Sequence, residues 1–358
     1  MIFEPFDYMA WAKQHQGRYQ HDLSVSGMAP PTAKWFTPDP TCLSLNGLSA
    51  ALRAEMKQAI AQTYGVSANQ VVLAGGTSEA NFLVYGALLS AGDAVLVEQP
   101  NYQAMARLAS VFGAHTLPFA RRLHNQCAFD LDALRHAWRS EVKLVALTTP
   151  HNPSGFAMTQ GDLLALGAWL DEVDAYAVID DVYRDFMPTP LPVAQALHPR
   201  LITTASLTKV YGLGALRAGW ALLPQLLARK AEQLYDYMAV NQSTTMVQLA
   251  LNAWPQLPRL RQRAQDRAQE NGDLVREWLA HSQHFRGQVP SFGIIALLQL
   301  PPGMGDLALS RNLAEQHQVL ITPGSFFDAP GWVRIAYGMD SARLRAALGA
   351  LESSVRAL

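Results

Sequence analysis

Short apolar runs recur through the first 206 residues, each cut off by a turn-forming or polar residue and separated from the next by a helical stretch. QVVLAGG (70–76) stops at two glycines and AVLVEQP (94–100) at a proline. LVALTTP (144–150), AYAVIDD (175–181) and LITTAS (201–206) repeat the pattern. Runs this short and this continuously apolar read as strands buried on both faces. Between them, SAALRAEMKQAIAQTYG (49–65) sets Leu52, Met56, Ala59, Ile60 and Thr63 on one face, which is helical spacing. EANFLVYGALLSAG (79–92), ended by its glycine, and DLLALGAWLDEV (162–173) also read as helices. This alternation predicts an α/β fold: a mostly parallel sheet with helices on both faces.

After about residue 245 the order changes. A long polar helix (about 258–284) precedes strand candidates GIIALLQL (293–300), VLITP (319–323) and WVRIAY (332–337), and a helix closes the chain. These predict a smaller α+β domain beside the large one. The expected division is a large domain over 40–245 and a small domain built from 1–39 and 246–358.

Composition narrows the function classes. The 358 residues carry a formal net charge of −1, so no field favours nucleic acid or an anionic membrane surface. No apolar run reaches the ~18 residues of a membrane span. Two cysteines, Cys42 and Cys127, make neither a disulfide framework nor a zinc motif, and the ten histidines show no metal-ligand spacing. MIFEPFDYMAWAKQH has no basic stretch followed by an apolar one, so the expected location is the cytoplasm. No metal is expected.

The polar residues fall in one topological place. Gly75-Gly76-Thr77-Ser78, Asn101-Tyr102, His151-Asn152-Pro153-Ser154-Gly155, Asp180-Asp181-Val182-Tyr183 and Ser206 to Lys209 each follow a predicted strand. In open α/β sheets ligands bind outside the carboxyl ends of the strands. Five groups at one edge therefore argue a site. Lysine among cationic or apolar neighbours loses its proton and attacks carbonyls. A carboxylate keeps a ring nitrogen protonated, an aromatic side chain holds a ring flat, and a glycine turn at a helix N-terminus receives a phosphate. Together these meet the needs of pyridoxal phosphate. GGTS does not match GxGxxG, which argues against a dinucleotide enzyme.

On these motifs, with "HNPSG", "SLTKVYGLGALRAGW" and "WVRIAYG", the chain resembles the fold-type I pyridoxal-phosphate enzymes of the class I/II aminotransferase family from about residue 20 onward. The resemblance implies that Lys209 bonds covalently to the cofactor and that Asp180 pairs with its ring nitrogen. It implies that Tyr183 and Asn152 bond the ring hydroxyl and that Tyr102 stacks on the ring. Gly76, Thr77, Ser78, Ser206 and Arg217 hold the phosphate, and Arg334 pairs with the substrate α-carboxylate. The implied reaction exchanges an amino group between an amino acid and a 2-oxo acid. β-Elimination of a carbon–sulfur bond, a cyclase or synthase step and decarboxylation are the alternatives from the same chemistry. A homodimer is also implied. Many members carry a tyrosine shortly before the "G…LR" turn that reaches the partner subunit's phosphate. The stretch 37–53 holds none, and Cys42 or Ser44 lies near that place.

Several residues keep a second reading. Asp181 competes with Asp180, which is preferred because Tyr183 then falls three residues on; Arg217 is equally placed to pair with Asp180 or Glu79; and an edge-strand arginine in a salt bridge is the second reading of Arg334, behind the carboxylate role. Phe6, Met9, Ala10 and Lys13, at helical spacing, read as a packing face rather than a lid. Trp11, Trp35, Phe326 and Phe327 read as pocket wall or core. His151 is read as a loop residue without a role.

Overall fold

The five expected strands lie in one sheet. In the computed structural model, which describes residues 4–32, 47 and 49–356, the strands in chain order are β1 (His21–Asp22), β2 (Val71–Ala74), β3 (Ala94–Gln99), β4 (His115–Ala120), β5 (Val142–Thr148), β6 (Tyr176–Asp180), β7 (Leu201–Ser206), β8 (Gly219–Leu222), β9 (Arg286–Gly287), β10 (Ile295–Gln299), β11 (Val319–Leu320), β12 (Thr322–Pro323) and β13 (Trp332–Ala336). The large sheet has the order β2-β8-β7-β6-β5-β3-β4. Neighbours are parallel from β7 through β4, and β8 alone runs opposite. Trp35, Cys42 and Ser44 lie outside the described residues.

Both faces of this sheet are covered, as the continuous apolar runs require. Helices Thr77–Leu88, Gln103–Val111 and Gln225–Met238 bury Val84, Met105 and Leu227 against one face. Helices Leu131–Ala137 and Gln160–Glu172 bury Leu134 and Leu166 against the other. Local chemistry sets the helix ends. Ser49 caps Ala50–Tyr64 by accepting from Leu52 N at 3.1 Å. Thr159 and Asp162 cap Gln160–Glu172 reciprocally, a capping box that satisfies two orphan donors. The expected helix over 79–92 runs instead from Thr77 to Leu88. Gly76 (φ 110) turns directly into it, and the chain is already extended at Leu89.

A four-stranded antiparallel sheet, β12-β13-β10-β9, packs with helices Leu257–His281 and Ser341–Arg356. The predicted strand VLITP is split: β11 pairs with β1, and β12 with β13. Residues 23–28 then join the two sheets. Leu23 O accepts from Ala336 N at 2.7 Å, and Met28 N donates to Lys209 O at 2.8 Å. No helix among the described residues is long and apolar enough to cross a membrane.

Two strands of the large sheet carry no clear sequence signal. β4, HTLPFA, is an edge strand with mixed exposure, the position where a proline such as Pro118 is tolerated. β8, GWAL, begins two residues after Arg217. Its Gly219 pairs with both Ala74 and Ser206, and the Gly75-Gly76 turn passes against it. A Cβ at Gly219 would lie 2.6 Å from the backbone Cα and C of Gly76. Backbone cannot yield as a flexible side chain does. Gly219→Ala is therefore expected to lower the unfolding free energy by about 1–3 kcal/mol, as overpacking does, measured by urea denaturation. A variant as stable as the parent would show that the turn has room.

Candidate active site

The carboxyl ends of the strands open into a cavity of about 450 Å³. Every site residue predicted above except Gly76 and Arg334 lines it: Thr77, Ser78, Tyr102, Asn152, Asp180, Tyr183, Ser206, Lys209 and Arg217. The two exceptions stand immediately behind the wall. A Cβ at Gly76 would lie 2.6 Å from Arg217 Nη2. Arg334 donates from Nη1 to the lining Asn152 Oδ1 at 3.1 Å.

One end of the cavity suits an anion. Thr77 Oγ1 donates to Ser206 Oγ at 2.8 Å, at the N-terminus of helix Thr77–Leu88. Backbone N–H groups and the helix dipole favour negative charge there. Arg217, held in the left-handed region (φ 47), donates from Nη2 to Gly75 O at 2.5 Å. It pairs with neither Asp180 nor Glu79. Glu79 is engaged by Gly75 N.

The other end holds Asp180, at the last position of β6. Its Oδ2 accepts from Asn81 Nδ2 at 3.1 Å, and its Oδ1 from Val182 N at 3.3 Å. Thr204 Oγ1 donates to Asn81 Oδ1 at 2.6 Å, which fixes the amide so that its NH₂ faces Asp180. Burial pushes the Asp180 carboxyl up to about 6, against the pull of Asn81, Val182 and Lys209. The competing Asp181 points elsewhere. Its backbone N donates to Thr204 O, and its carboxylate faces Arg184 at 3.7 Å, away from the cavity.

Lys209 Nζ donates to Ser26 Oγ at 3.0 Å. Tyr183 OH donates to Ser26 O at 3.0 Å, so one serine of the N-terminal segment touches both. Beneath Asn152 lies a buried support. Asn152 N donates to Thr148 Oγ1 at 2.9 Å, and Thr148 bonds Glu98 Oε1 through both its N and its Oγ1. Arg121 pairs with Glu98 at 2.6 Å. His151, read from sequence as a loop residue, is fully buried. Its Nδ1 bonds Ser154 Oγ at 2.7 Å and its Nε2 bonds Pro100 O at 2.9 Å. Burial and the Arg121 charge hold it neutral, well below its usual value. It braces the loop that carries Asn152.

Arg334 sits on β13, an inner strand of the small sheet, so the edge-strand reading fails. Its side chain is wholly buried. Its partners are Asn152 Oδ1, Tyr8 OH (3.0 Å), Ser24 O (3.0 Å) and Thr322 Oγ1 (3.3 Å), with the Phe327 ring 4.8 Å from its guanidinium carbon. None of these is a carboxylate, and its Nε has no acceptor among the described residues. A buried cation without an anion is costly, which fits a site for an anionic ligand group.

Sequence reasoning missed Tyr8, Ser26 and Gln16. Helix Asp7–His15, read as a packing face, roofs the cavity with Tyr8, Met9, Ala12 and Lys13. Trp11, Phe326 and Phe327 form a small core with Tyr8 and stay out of the cavity. Tyr102 meets Tyr8 edge-on, with ring centroids 6.0 Å apart. The only available signal was local: an aromatic helix near the N-terminus with no strand to pack on. Among the described residues no cluster of His, Cys, Asp and Glu is arranged to hold a metal. The arrangement fits a ligand with a phosphate at one end and a protonated ring nitrogen at the other, placed within reach of a lysine.

Comparison with known proteins agrees. The family model "Aminotransferase class I and II" matches residues 45–351. Capreomycidine synthase of Streptomyces vinaceus is 27% identical over 96% of this chain and 92% of its own length. The arginine–pyruvate transaminase AruH of Pseudomonas aeruginosa is 27% identical over 79% of this chain and 74% of its own. The crystal structure of a PLP-dependent aminotransferase from Streptococcus suis superposes with a TM-score of 0.93, covering 100% of this chain and 99% of that one at 23% identity.

Asp180 yields a test in the cofactor-free protein. Its carboxyl titrates near its ordinary 3.8 when unfolded and at about 6 when folded. Well above 6 the folded state carries a buried charge. As pH falls through 6 the folded state binds a proton first, and this group's penalty disappears below 3.8. At roughly 1.4 kcal/mol per unit, Asp180→Asn is expected to stabilise the cofactor-free protein by about 2–3 kcal/mol in mildly alkaline buffer. The gain should vanish in acid. Equal denaturation midpoints for both proteins across that range would remove the buried charge from the account.

Proposed function

Since the chain belongs to the class I and II aminotransferase family and its cofactor is pyridoxal phosphate, we propose that it moves an amino group from an amino acid to a 2-oxo acid. The observation that carries this reading is Arg334. A buried guanidinium with only neutral partners, one hydrogen bond from the lining Asn152, suits the α-carboxylate of a substrate whose nitrogen reaches Lys209.

When bound, pyridoxal phosphate supplies a carbon that bonds the amino nitrogen and a ring that draws electron density from the substrate Cα. The chain's residues do the rest. Gly76, Thr77, Ser78, Ser206 and Arg217 would hold the phosphate, where Gly76 leaves the space that a side chain would take from Arg217. Asp180 would keep a proton on the ring nitrogen. Its burial favours exactly one kind of partner, an N–H donor that brings positive charge. Tyr183 and Asn152 would bond the ring hydroxyl, and Tyr102 would cover the ring face. The Lys209 amine, once free, would take the Cα proton and return it to the cofactor carbon on the far side of the amino nitrogen. Arg334 fixes the carboxylate and thereby the direction of the Cα–H bond.

A second reading rests on capreomycidine synthase, the relative matched along 96% of this chain. The same start, loss of the Cα proton, also leads to synthase chemistry. The two differ in their need for a 2-oxo acid. An aminotransferase retains the amino group after one half-reaction and needs a 2-oxo acid to turn over again, whereas a synthase does not. A panel of amino acids, each followed by cofactor absorbance with and without 2-oxo acid, separates them. The same family reading makes the protein a homodimer, and sedimentation of an active monomer would refute that part.

Two experiments test the site. Borohydride reduction of the yellow protein should trap the cofactor on the peptide that contains Lys209. Label on another lysine, or none, ends the reading. Arg334→Lys should keep the colour and lose roughly 2–5 kcal/mol in kcat/KM towards amino acids, because a point charge cannot replace the planar fork. Simple amines without a carboxylate should be affected far less. Equal losses for amines and amino acids would make Arg334 structural.

A further inference from the structure

Arg334 is wholly buried and does not itself line the cavity. A carboxylate that enters from the cavity therefore first meets the groups that cover the guanidinium. Two of its hydrogen-bond partners line the cavity, Asn152 and Tyr8. Asn152 turns its acceptor, Oδ1, to Arg334. Tyr8 OH accepts from Arg334 Nη2 at 3.0 Å, so its own proton points away from the guanidinium. A neutral phenol accepts and donates at once, and a hydroxyl that accepts from a cation becomes a stronger donor. The ring is fixed: Tyr8 is 5% exposed, its backbone N donates to Gln103 Oε1 at 2.8 Å, and Phe327 and Tyr102 pack against it. Packing alone would be served by phenylalanine. A hydroxyl held on a buried guanidinium at the cavity wall has a polar task.

Building on the aminotransferase reading, we infer that Tyr8 is a second binding residue for the substrate α-carboxylate: its hydroxyl accepts from Arg334 and donates its own proton to a carboxylate oxygen. No covalent bond is made or broken, and the phenol stays neutral. That neutrality keeps the charges balanced. One guanidinium meets one carboxylate, and the hydroxyl adds a donor without adding a charge. A buried cation among neutral oxygens then gains the anion it lacks, and the phenol gains a charged acceptor for its proton. The other partners of Nη2, Ser24 O and Thr322 Oγ1, belong to residues that do not line the cavity. Among the described partners of Arg334, Tyr8 is the one that combines a place on the cavity wall with a hydroxyl proton directed away from the guanidinium. Recognition of the carboxylate thus spans β13 and helix Asp7–His15, two elements from opposite ends of the chain. An amine without a carboxylate offers this hydroxyl no anionic acceptor.

The test uses the cofactor-loaded enzyme and compares Tyr8→Phe with the parent. Towards amino acids the variant should lose roughly 10–100-fold in kcat/KM, the range of one hydrogen bond to a charged group. Most of the loss should lie in KM, because the carboxylate is held alike before and during the reaction. Simple amines without a carboxylate should be nearly unaffected, whereas a purely structural role would lower both alike. Binding without turnover is read from the absorbance of the bound cofactor on addition of succinate and of phenylacetate, carboxylates that lack an amine. The parent should bind at least one of them, and Tyr8→Phe should bind it at least about 10-fold more weakly. Equal losses for amines and amino acids, equal affinity for the carboxylates, or no carboxylate binding to the parent would overturn the inference. If Tyr8→Phe does not fold, a crystal structure of the parent holoenzyme with the bound carboxylate decides. A carboxylate oxygen within about 3 Å of Tyr8 OH supports the inference, and a carboxylate beyond reach of that hydroxyl ends it. Arg334→Lys keeps the two claims apart. If it shows the contrast between amino acids and amines and Tyr8→Phe does not, only the role of Tyr8 fails. If Arg334→Lys lacks the contrast as well, the α-carboxylate reading fails and takes Tyr8 with it.

Discussion

A sheet buried on both faces leaves its strand ends as the places where polar chemistry can reach a ligand. Here β7, β6, β5, β3 and β4 run parallel under helices on both sides. Parallel strands need crossovers, so the carboxyl ends of all five emerge at the same edge. Residues far apart in the chain, from Thr77 to Arg217, therefore meet around one cavity. The single reversed strand, β8, serves the same edge: it carries the chain back from Arg217 and presses Gly219 against the Gly76 turn.

The site stores unpaid electrostatic cost at two points. Asp180 is a buried carboxylate supported by an amide and a backbone N–H rather than by a cation in contact. Arg334 is a buried guanidinium supported by neutral oxygens. Each is the kind of group that folding alone disfavours. Their signs are opposite, and they demand different ligand groups: an N–H donor for one, a carboxylate for the other. The helix N-terminus with Arg217 adds a third demand, a phosphate. A cofactor with a basic ring nitrogen and a phosphate, followed by an amino acid with its carboxylate, meets all three.

What could be read from the sequence follows from where each residue sits. Asp180, Lys209, Asn152 and the Gly76-Thr77-Ser78 turn lie within a few residues of a strand end, so the apolar run itself announces them. Choosing Asp180 over Asp181 rested on the spacing to Tyr183, and the pleat explains it: adjacent residues point to opposite sides, which sends Asp181 to Arg184. Tyr8 and Ser26 carry no such flag. They come from a helix and a segment anchored by the two-residue strand β1, too short for any periodicity, and they reach the cavity only because Leu23 and Met28 bond to Ala336 and Lys209. β4 and β8 were missed for a related reason, since an edge strand with mixed exposure and a four-residue strand offer too few residues to set a period. His151 lies in a loop, as read, but it is not without a role: its ring is a buried brace.

The division of labour between these two kinds of residue bears on how such a scaffold changes its reaction. On the proposed reading the strand-end residues answer to the cofactor, and the sheet that holds them tolerates little displacement. The roof would answer to the substrate on the same reading. Helix Asp7–His15 contributes Tyr8, Met9, Ala12 and Lys13 to the cavity while resting on the aromatic cluster of Phe6, Trp11, Phe326 and Phe327. Exposed positions such as Lys13 can change without disturbing the sheet core, because no buried strand depends on them. Tyr8 is the exception on that helix. It is buried and bonded to Arg334, so it ties the roof to the small sheet. The N-terminal helix is thus held from two sides, by the aromatic cluster and by the bond between the Tyr8 hydroxyl and Arg334.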